Sequence, residues 1–231
     1  MNNIYKARIP QEILANKGDC GCFLSISMAN NNQTGVKLSS TLEWINNNFS
    51  FCIVNLADSI QQHNFEMLGL PYSQALQHAK RLGDRWLKEN GEILEELEIP
   101  YSLTRWDNWR CSSSLQPIIR KYQKLYETNA QFSHTLNKDL QAFVDKHYSQ
   151  ERHPISRERY FAGCIDYFFE ELSVWTIVGR TGRFIKIYPA RPHKVAVDLS
   201  NGLYEAPNGI ENITFARLSF KKRSQALLKA A

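Results

Sequence analysis

The sequence lacks the long apolar runs that mark membrane and secreted proteins. Its first residues, MNNIYKARIPQEILANKGD, contain no apolar stretch of the kind that a secretory signal needs. No later run approaches the roughly eighteen apolar residues of a membrane-spanning helix. We therefore expect a cytoplasmic protein that makes no contact with a membrane.

Cysteine is scarce and does not form a metal-binding pattern. The five cysteines stand at positions 20, 22, 52, 111 and 164. Cys20 and Cys22 are not followed by the nearby Cys/His pair that a zinc site requires. Most of the five lie in apolar sequence, where a free cysteine behaves as a small hydrophobic residue. We expect reduced, mostly buried thiols and no metal.

Motifs for nucleotide binding and for serine hydrolysis are missing as well. The sequence contains neither a phosphate-binding G-x-x-x-x-G-K-[ST] loop nor an HIGH-type motif. Around Ser27, the stretch SISMA has Ser25 and Ala29 where the nucleophile elbow G-x-S-x-G of hydrolases has glycines. No Ser, Asp and His follow one another in a convincing catalytic order. An ordinary serine hydrolase is therefore disfavoured.

The size and composition that remain are those of a globular protein. A chain of 231 residues can form one domain with a full core. No internal repeat, low-complexity block or long linker divides it, so we expect a single domain over residues 1–231. The net charge of +5 would help to attract a polyanion, although many proteins share such an excess.

Alternating strand and helix patterns predict an α/β fold. The first half of the chain predicts strands over 22–27, 51–57 and 101–106 and helices over 36–49 and about 73–97. Ser73 is a plausible N-cap of the long helix, and Pro100 ends its pattern. This β-α-β-α-β order predicts a parallel sheet with helices packed on it, right-handed crossovers and a ligand site at the carboxyl ends of the strands.

The second half is mostly helical. It predicts helices over 113–127, 130–148 and 156–172, with Ser156 at the start of the last, and strands in FIKIYP and ITFARLSF.

Three segments carry side chains suited to chemistry. Ser27 stands where the first strand ends, although spacing alone favours a strand-end hydroxyl over a nucleophile. Tyr167 and Glu171 are four residues apart and share one helix face, where they could hold an ammonium group. The plainer interpretation is a packing tyrosine and a solvated carboxylate, but apolar neighbours indicate a buried helix, in which a carboxylate needs a partner. Tyr188 ends a strand that Pro189 stops; its phenol could orient a hydroxyl or could simply stand at a turn.

Together these segments resemble a known family. A strand ending S-x-x-N, a distant Y-x-x-x-E-L and an aliphatic strand ending Y-P are similar to the pattern of the cyclodipeptide synthases. These tRNA-dependent enzymes join two aminoacyl groups into a diketopiperazine. The resemblance covers residues 18 to 220 approximately, and Tyr188 with Pro189 resembles the branch named for its X-Y-P signature.

The resemblance implies a role for each motif residue. Ser27 would be the nucleophile that receives the first aminoacyl group as an ester. Tyr167 and Glu171 would hold the α-ammonium of that group, and Glu171 would also take part in proton transfer. Tyr188 would position Ser27 and assist later proton movements.

It also implies which residues contact the substrate: Phe23, Ser25, Asn30, Val54, Leu56 and Pro189. Phe23, Ser25, Val54 and Leu56 match strand positions that line the first aminoacyl pocket in the family. Asn30 falls at the position that varies in the X-Y-P branch. Ser25 departs from the glycine that the family often has two residues before the nucleophile, which affects the size of the pocket.

The family has a Rossmann-like fold that resembles the catalytic domain of class I aminoacyl-tRNA synthetases, in agreement with the β-α-β pattern. Since the aminoacyl ester of tRNA is already activated, the resemblance implies no cofactor and no metal. The partners would be two aminoacyl-tRNAs, bound in part by a basic helix that corresponds to Lys80, Arg81, Arg85 and Lys88 here. Taken alone, those cations are better explained by a solvated helix face. We expect a monomer.

A second hypothesis is a non-catalytic RNA-binding domain with a Rossmann-like sheet, in which Tyr and Trp side chains stack on bases. Such a domain has no need of a buried carboxylate four residues after a tyrosine. The joint presence of Ser27, Tyr167, Glu171 and Tyr188 therefore favours the transferase. The sequence does not identify the two amino acids that are joined.

Overall fold

Seven β-strands run through residues 4–223, which are the part of the chain described by the computed structural model. They are β1 Tyr5–Arg8, β2 Gly21–Ile26, β3 Cys52–Leu56, β4 Tyr101–Arg105, β5 Phe184–Tyr188, β6 Ile213–Arg217 and β7 Ser219–Lys222.

Nine α-helices connect and cover these strands in the same part of the chain. They are α1 Gln11–Ala15, α2 Gly35–Asn46, α3 Gln62–Met67, α4 Tyr72–Leu94, α5 Trp106–Arg110, α6 Leu115–Thr128, α7 Ala130–His147, α8 Arg157–Thr181 and α9 Lys194–Ser200. Among residues 4–223, no helix has both the length and the apolar character needed to cross a membrane.

Five strands form one parallel sheet in the order β4-β3-β2-β5-β6. The chain builds outward from β2 to β3 and β4, then returns to the other side of β2 with β5 and β6. The order of the strands therefore reverses between β2 and β5, the place where open α/β sheets bind their ligands. The predicted Rossmann-like parallel sheet flanked by helices is confirmed.

The two faces of the sheet are covered by different helices. Along β2, Cys22, Leu24 and Ile26 face a core that includes side chains of α2 and α4. Phe23 faces the other core, which α6, α7, α8 and α9 complete. Both faces are buried because β2 and β3 are near-continuous apolar runs, as expected for the centre of a parallel sheet.

The segment ITFARLSF, predicted as one strand, divides in two. Residues Ile213–Arg217 extend the parallel sheet beside β5, whereas Ser219–Lys222 pair antiparallel with β1. The strand β1 was not predicted, because its four residues alternate weakly and have no hairpin turn nearby in sequence to mark them.

Helix ends also differ from the prediction. Ser73 is not the N-cap of α4: the helix begins at Tyr72, with Pro71 preceding it. Ser156 does cap α8, since its Oγ accepts a hydrogen bond from the Arg159 N–H at 3.3 Å. This helix continues nine residues past the predicted end at position 172, because Val174, Trp175 and Val178 keep it buried in the core.

Helix α4 lies close against the carboxyl edge of the sheet. Arg105, at the end of β4, donates through Nε to Asp58 at 2.5 Å and through Nη1 to Asp84 of α4 at 2.6 Å. A Cβ atom at Gly83 would lie 2.6 Å from Asp58 Oδ2, so only glycine allows this approach. The helix is thereby fixed beside the strand ends.

The cysteines follow the prediction of mostly buried thiols. Four of them are buried and free, namely Cys20, Cys22, Cys52 and Cys164, and Cys111 is free and exposed.

Candidate active site

A cavity of about 100 Å³ opens at the carboxyl ends of β2 and β5, where the strand order reverses. Its lining includes all four residues predicted to be catalytic: Ser27, Tyr167, Glu171 and Tyr188. Three segments far apart in sequence therefore meet at one place, as the position of the site at a topological switch point predicts.

Ser27 is held by the loop that follows β2. Its backbone N–H donates to Gln33 Oε1 at 2.9 Å, and Gln33 Nε2 in turn donates to the carbonyl of Ser25. Gln33 is itself buried, and its own carbonyl accepts a hydrogen bond from Trp86 Nε1 at 3.3 Å. One buried amide thus fixes the backbone on both sides of Ile26 and leaves Ser27 half-buried at the strand end.

Asn30 stabilises the same loop. Its Oδ1 accepts hydrogen bonds from the backbone N–H of Asn32 at 3.0 Å and from the Asn32 side chain at 3.1 Å. This caps the short 3-10 turn Asn31–Gln33 that carries the buried glutamine. Asn30 does not contribute to the lining of the cavity. The run of asparagines after β2 is therefore a turn that shapes the edge of the site.

Tyr167 and Glu171 face the cavity from α8, as their four-residue spacing predicts. Gln61 Nε2 donates to the Tyr167 hydroxyl at 3.3 Å. Burial raises the pKa of Tyr167 well above its usual value, and the negative charge of the nearby Glu171 raises it further. The phenol is therefore neutral at physiological pH and available as a hydrogen-bond donor.

Glu171 is a carboxylate in an environment that disfavours its charge. Burial raises its pKa to about 7; the positive charge of Lys186 opposes the shift and the negative charge of Glu170 adds to it. Among residues 4–223, no side chain donates a hydrogen bond to Glu171. At neutral pH this group consequently exists in both protonation states and can exchange a proton.

The preceding residue, Glu170, lies in an environment that favours its negative charge. Its carboxylate accepts hydrogen bonds from Trp106 Nε1 at 2.7 Å and Arg110 Nε at 2.6 Å, and it lies 2.9 Å from His63 Nε2. Burial opposes its ionisation, but the contacts with His63 and Arg110 outweigh burial and lower the pKa to about 2. Glu170 is thus a fixed anion that anchors α8 to α3 and α5.

The predicted substrate-contacting residues are only partly brought together. Ser25 lines the cavity, whereas Phe23 is fully buried deeper along the same face of β2. Val54 and Leu56 face the opposite core with α2 and α4, so they do not line this cavity. Pro189 is also outside the lining, although residues 190 to 193, which follow it, contribute.

The sequence analysis missed several lining residues, among them the polar or aromatic side chains of Lys186, Trp175, Arg191 and His193. Lys186 gives the clearest signal, since it is a cation in the middle of the apolar strand FIKIY. Burial lowers the pKa of Lys186, and the Glu171 charge counteracts that shift. His193 lies edge-on to Phe168, with 4.9 Å between ring centroids, and burial lowers its pKa, which favours the neutral imidazole.

The predicted tRNA-binding cations lie outside the cavity, on α4. Lys80 is half-buried and pairs with Asp107 at 2.5 Å, so its charge is already neutralised. Arg81, Arg85 and Lys88 are exposed, and none of the acidic side chains in residues 4–223 pairs with them. Since Arg105 fixes α4 at the carboxyl edge of the sheet, these three cations share that edge with the cavity.

The described residues hold no group of three or more His, Cys, Asp or Glu side chains arranged to bind a metal ion.

No protein-family model and no curated protein matches the sequence. Solved structures do match. A cyclodipeptide synthase (CDPS) from Fluoribacter dumoffii has a TM-score of 0.83 and 27% sequence identity, over 95% of this chain and 100% of that one. A cyclodipeptide synthase from Candidatus Glomeribacter gigasporarum, bound to Phe-tRNAPhe, has a TM-score of 0.65 and 16% identity over 94% of this chain and 96% of that one.

A third match is the Mycobacterium tuberculosis protein whose structure relates cyclodipeptide synthetases to type I tRNA synthetases. Its TM-score is 0.72 at 11% identity, over 96% of this chain and 95% of that one. The resemblance predicted from the sequence is thus confirmed: over nearly its whole length, the chain has the structure of the cyclodipeptide synthases, which are enzymes.

Proposed function

We propose that the chain is a tRNA-dependent cyclodipeptide synthase of the X-Y-P branch, which converts two aminoacyl-tRNAs into a 2,5-diketopiperazine through an ester on Ser27. The observation that carries the proposal is the meeting of Ser27, Tyr167, Glu171 and Tyr188 in one cavity of a chain with this family's structure. The proposal includes a monomeric protein acting in the cytoplasm, where charged tRNAs are made.

The first step is an ester exchange. Ser27 Oγ attacks the aminoacyl carbonyl, the bond from that carbonyl to the ribose oxygen breaks, and the serine proton passes to the departing ribose hydroxyl. No ATP is needed because one ester replaces another of similar energy. Tyr188 ends β5, the strand next to β2, which places its phenol at the same edge to orient the hydroxyl of Ser27.

The α-amino group of the bound residue is the next reactant, and Glu171 controls its proton. As a carboxylate, Glu171 pairs with the α-ammonium, and the neutral phenol of Tyr167 provides a second polar contact. Attack on another carbonyl requires the free amine. A carboxyl group with a pKa of about 7 can accept that proton near neutral pH, which is the property of an efficient general base.

The second step builds and closes the ring. The free amine attacks the carbonyl of the second aminoacyl-tRNA, the second tRNA departs, and a dipeptidyl group remains esterified to Ser27. The terminal amine then attacks the Ser27 ester; the second amide bond forms, the ester bond breaks, and the serine recovers its proton. Both amide bonds are formed without water, so a mostly buried cavity favours cyclisation over hydrolysis.

The tRNA moieties would bind across α4, through Arg81, Arg85 and Lys88. One structural relative is bound to Phe-tRNAPhe, which supports a tRNA substrate for a chain of this fold. Each phosphate that these cations neutralise would release counterions, so binding would weaken as salt is added.

Mass spectrometry of the culture medium tests the proposal, with cells that express this chain beside cells that express Ser27→Ala. We expect diketopiperazines with the wild type alone, while the purified variant still binds aminoacyl-tRNA. Product from Ser27→Ala would remove Ser27 as the nucleophile. Soluble wild-type protein that binds tRNA and yields no product in any medium would favour the non-catalytic RNA-binding domain.

A further inference from the structure

Lys186 is a buried cation in the cavity that the proposed reaction does not use. It is 8% exposed and lies in the middle of β5, between Phe23 on β2 and Phe215 on β6. Across residues 4–223, its ammonium makes no hydrogen bond and no ion pair with a carboxylate. A lysine in such a position needs a partner for its charge.

Three aromatic rings partly compensate the positive charge of Lys186. The Lys186 Nζ lies 4.4 Å from the ring centroid of Trp175, 5.3 Å from that of Tyr188 and 5.8 Å from that of Phe215. Cation–π contacts stabilise a desolvated ammonium by less than its desolvation costs. The rings therefore keep the cation in place without fully replacing its hydration.

A second donor in the same lining is also without a partner. The indole N–H of Trp175, a residue only 3% exposed, has no hydrogen-bond acceptor among the described residues. Buried polar groups that lack a partner are rare in native proteins. The Trp175 Nε1 atom itself is closed off from the cavity, so the Lys186 ammonium is the group of this pair that a ligand with oxygen atoms would reach.

The charge of the cavity restricts that ligand. Arg191 contributes a second cation to the lining. Among the described residues of the lining Glu171 is the one carboxylate, and the substrate ammonium occupies it in the proposed reaction. The free charge that remains is positive.

We infer that this cavity receives an acidic side chain, so that the first amino acid esterified to Ser27 is glutamate or aspartate, with its side-chain carboxylate on Lys186. The inference rests on the proposed function and names the substrate class of the same site. The two charges of the amino acid would then each meet an opposite charge, the ammonium at Glu171 and the carboxylate at Lys186.

Intact-protein mass spectrometry tests this inference. The purified chain is mixed briefly with one aminoacyl-tRNA at a time, and the mass added to Ser27 is followed for glutamyl, glutaminyl, aspartyl, asparaginyl, alanyl, leucyl and phenylalanyl groups. Glutamate and glutamine have nearly the same shape, so their ratio isolates the charge. We expect an acidic residue to acylate Ser27 about tenfold or more faster than its amide, which corresponds to one charge-assisted contact.

The variant Lys186→Met keeps the length of the side chain and removes its charge. We expect the acid-to-amide ratio to fall about tenfold or more, while Lys121→Met on the exposed face of α6 leaves the ratio unchanged. An unchanged ratio in a folded Lys186→Met protein would overturn the inference. If that variant does not fold, the wild-type panel decides by itself.

Other outcomes separate this inference from the proposed function. Cyclic dipeptides that contain no acidic residue would overturn the inference alone and leave the synthase in place. The absence of both ester and cyclic dipeptide with every charged tRNA would overturn the proposed function, and the inference with it.

Discussion

Glu170 and Glu171 are adjacent on α8, yet their carboxyl groups differ in proton affinity by several orders of magnitude. Successive helix residues are about 100° apart, so one faces Arg110 and His63 and the other faces the cavity. The same side chain consequently is a permanent anion in one position and has a pKa near neutrality in the next. Neither role can be assigned from the dipeptide EE itself.

Under the proposed mechanism, the pH dependence of catalysis reports on Glu171. Because its pKa in the free enzyme is about 7, kcat/KM for cyclic dipeptide formation is expected to rise with pH and to level off above neutrality. Glu171→Gln should remove this rise and lower kcat/KM about a hundredfold or more, since an amide cannot accept the proton. The measurement is the initial rate at low aminoacyl-tRNA concentration, corrected for spontaneous ester hydrolysis.

Glu127→Gln, an exposed carboxylate on α6, is the matched control and should keep the wild-type profile. A Glu171→Gln enzyme with the same rise near pH 7 would show that another group sets it.

At the scale of elements, the cations of α4 differ in whether an acidic side chain of the protein already pairs with them. Lys80 is paired with Asp107, whereas Arg81 and Arg85 are exposed and unpaired among the described residues. Arg81→Ala with Arg85→Ala should raise KM for aminoacyl-tRNA and reduce the slope of log KM against log salt by roughly one to two, the contribution of two phosphate contacts. Lys80→Ala alone should have a smaller effect.

The double variant Lys121→Ala with Lys124→Ala removes two exposed cations from α6 and controls for the change in net charge. If both double variants raise KM equally, tRNA binding does not depend on the face of α4.

The sequence predicts the helices and strands better than it predicts which of their side chains lie on the same face of the sheet. Helical spacing was sufficient to place Tyr167 and Glu171 on one face, because that relation lies within a single helix. Whether Val54 shares a face with Ser25 depends on the register between β2 and β3, where Ser25 pairs with Asn55 and not with Val54. That register is set by tertiary packing, so Val54 and Leu56 were expected at the cavity and face the other core.

Lys186 of β5 is a second case in which the sequence gives the position of a side chain but not its surroundings. Its position in FIKIY is visible in the sequence, but its three aromatic neighbours come from α8, from β6 and from β5 itself. Only the assembled sheet and helix show that the lysine faces a cavity and not solvent.

For the whole molecule, the two glutamates contribute to stability with opposite dependence on pH. The folded-state pKa of Glu170, about 2, is below its ordinary value of 4.5, so its contribution is present above pH 4.5 and is lost as the pH falls through 2. The folded-state pKa of Glu171, about 7, is above 4.5, so ionisation of Glu171 destabilises the fold as the pH rises from 4.5 through 7.

Denaturant unfolding of Glu170→Gln and Glu171→Gln, followed by circular dichroism at acidic and at mildly alkaline pH, tests both signs. Above pH 7, Glu170→Gln should lower the free energy of unfolding by about 3 kcal/mol, whereas Glu171→Gln should raise it. Near pH 4 the effect of Glu171→Gln should disappear. Two variants that shift stability in the same direction above pH 7 would contradict these assignments.

The backbone N–H of Ser27 already donates to Gln33, and that has a consequence for the tetrahedral intermediate. In the proposed reaction Ser27 Oγ adds to a carbonyl and negative charge develops on the carbonyl oxygen; many acyl-transfer enzymes stabilise such an oxyanion with the nucleophile's own amide. Here that amide is occupied. In that reaction the oxyanion would depend on side-chain donors of the cavity, among them the phenols of Tyr167 and Tyr188.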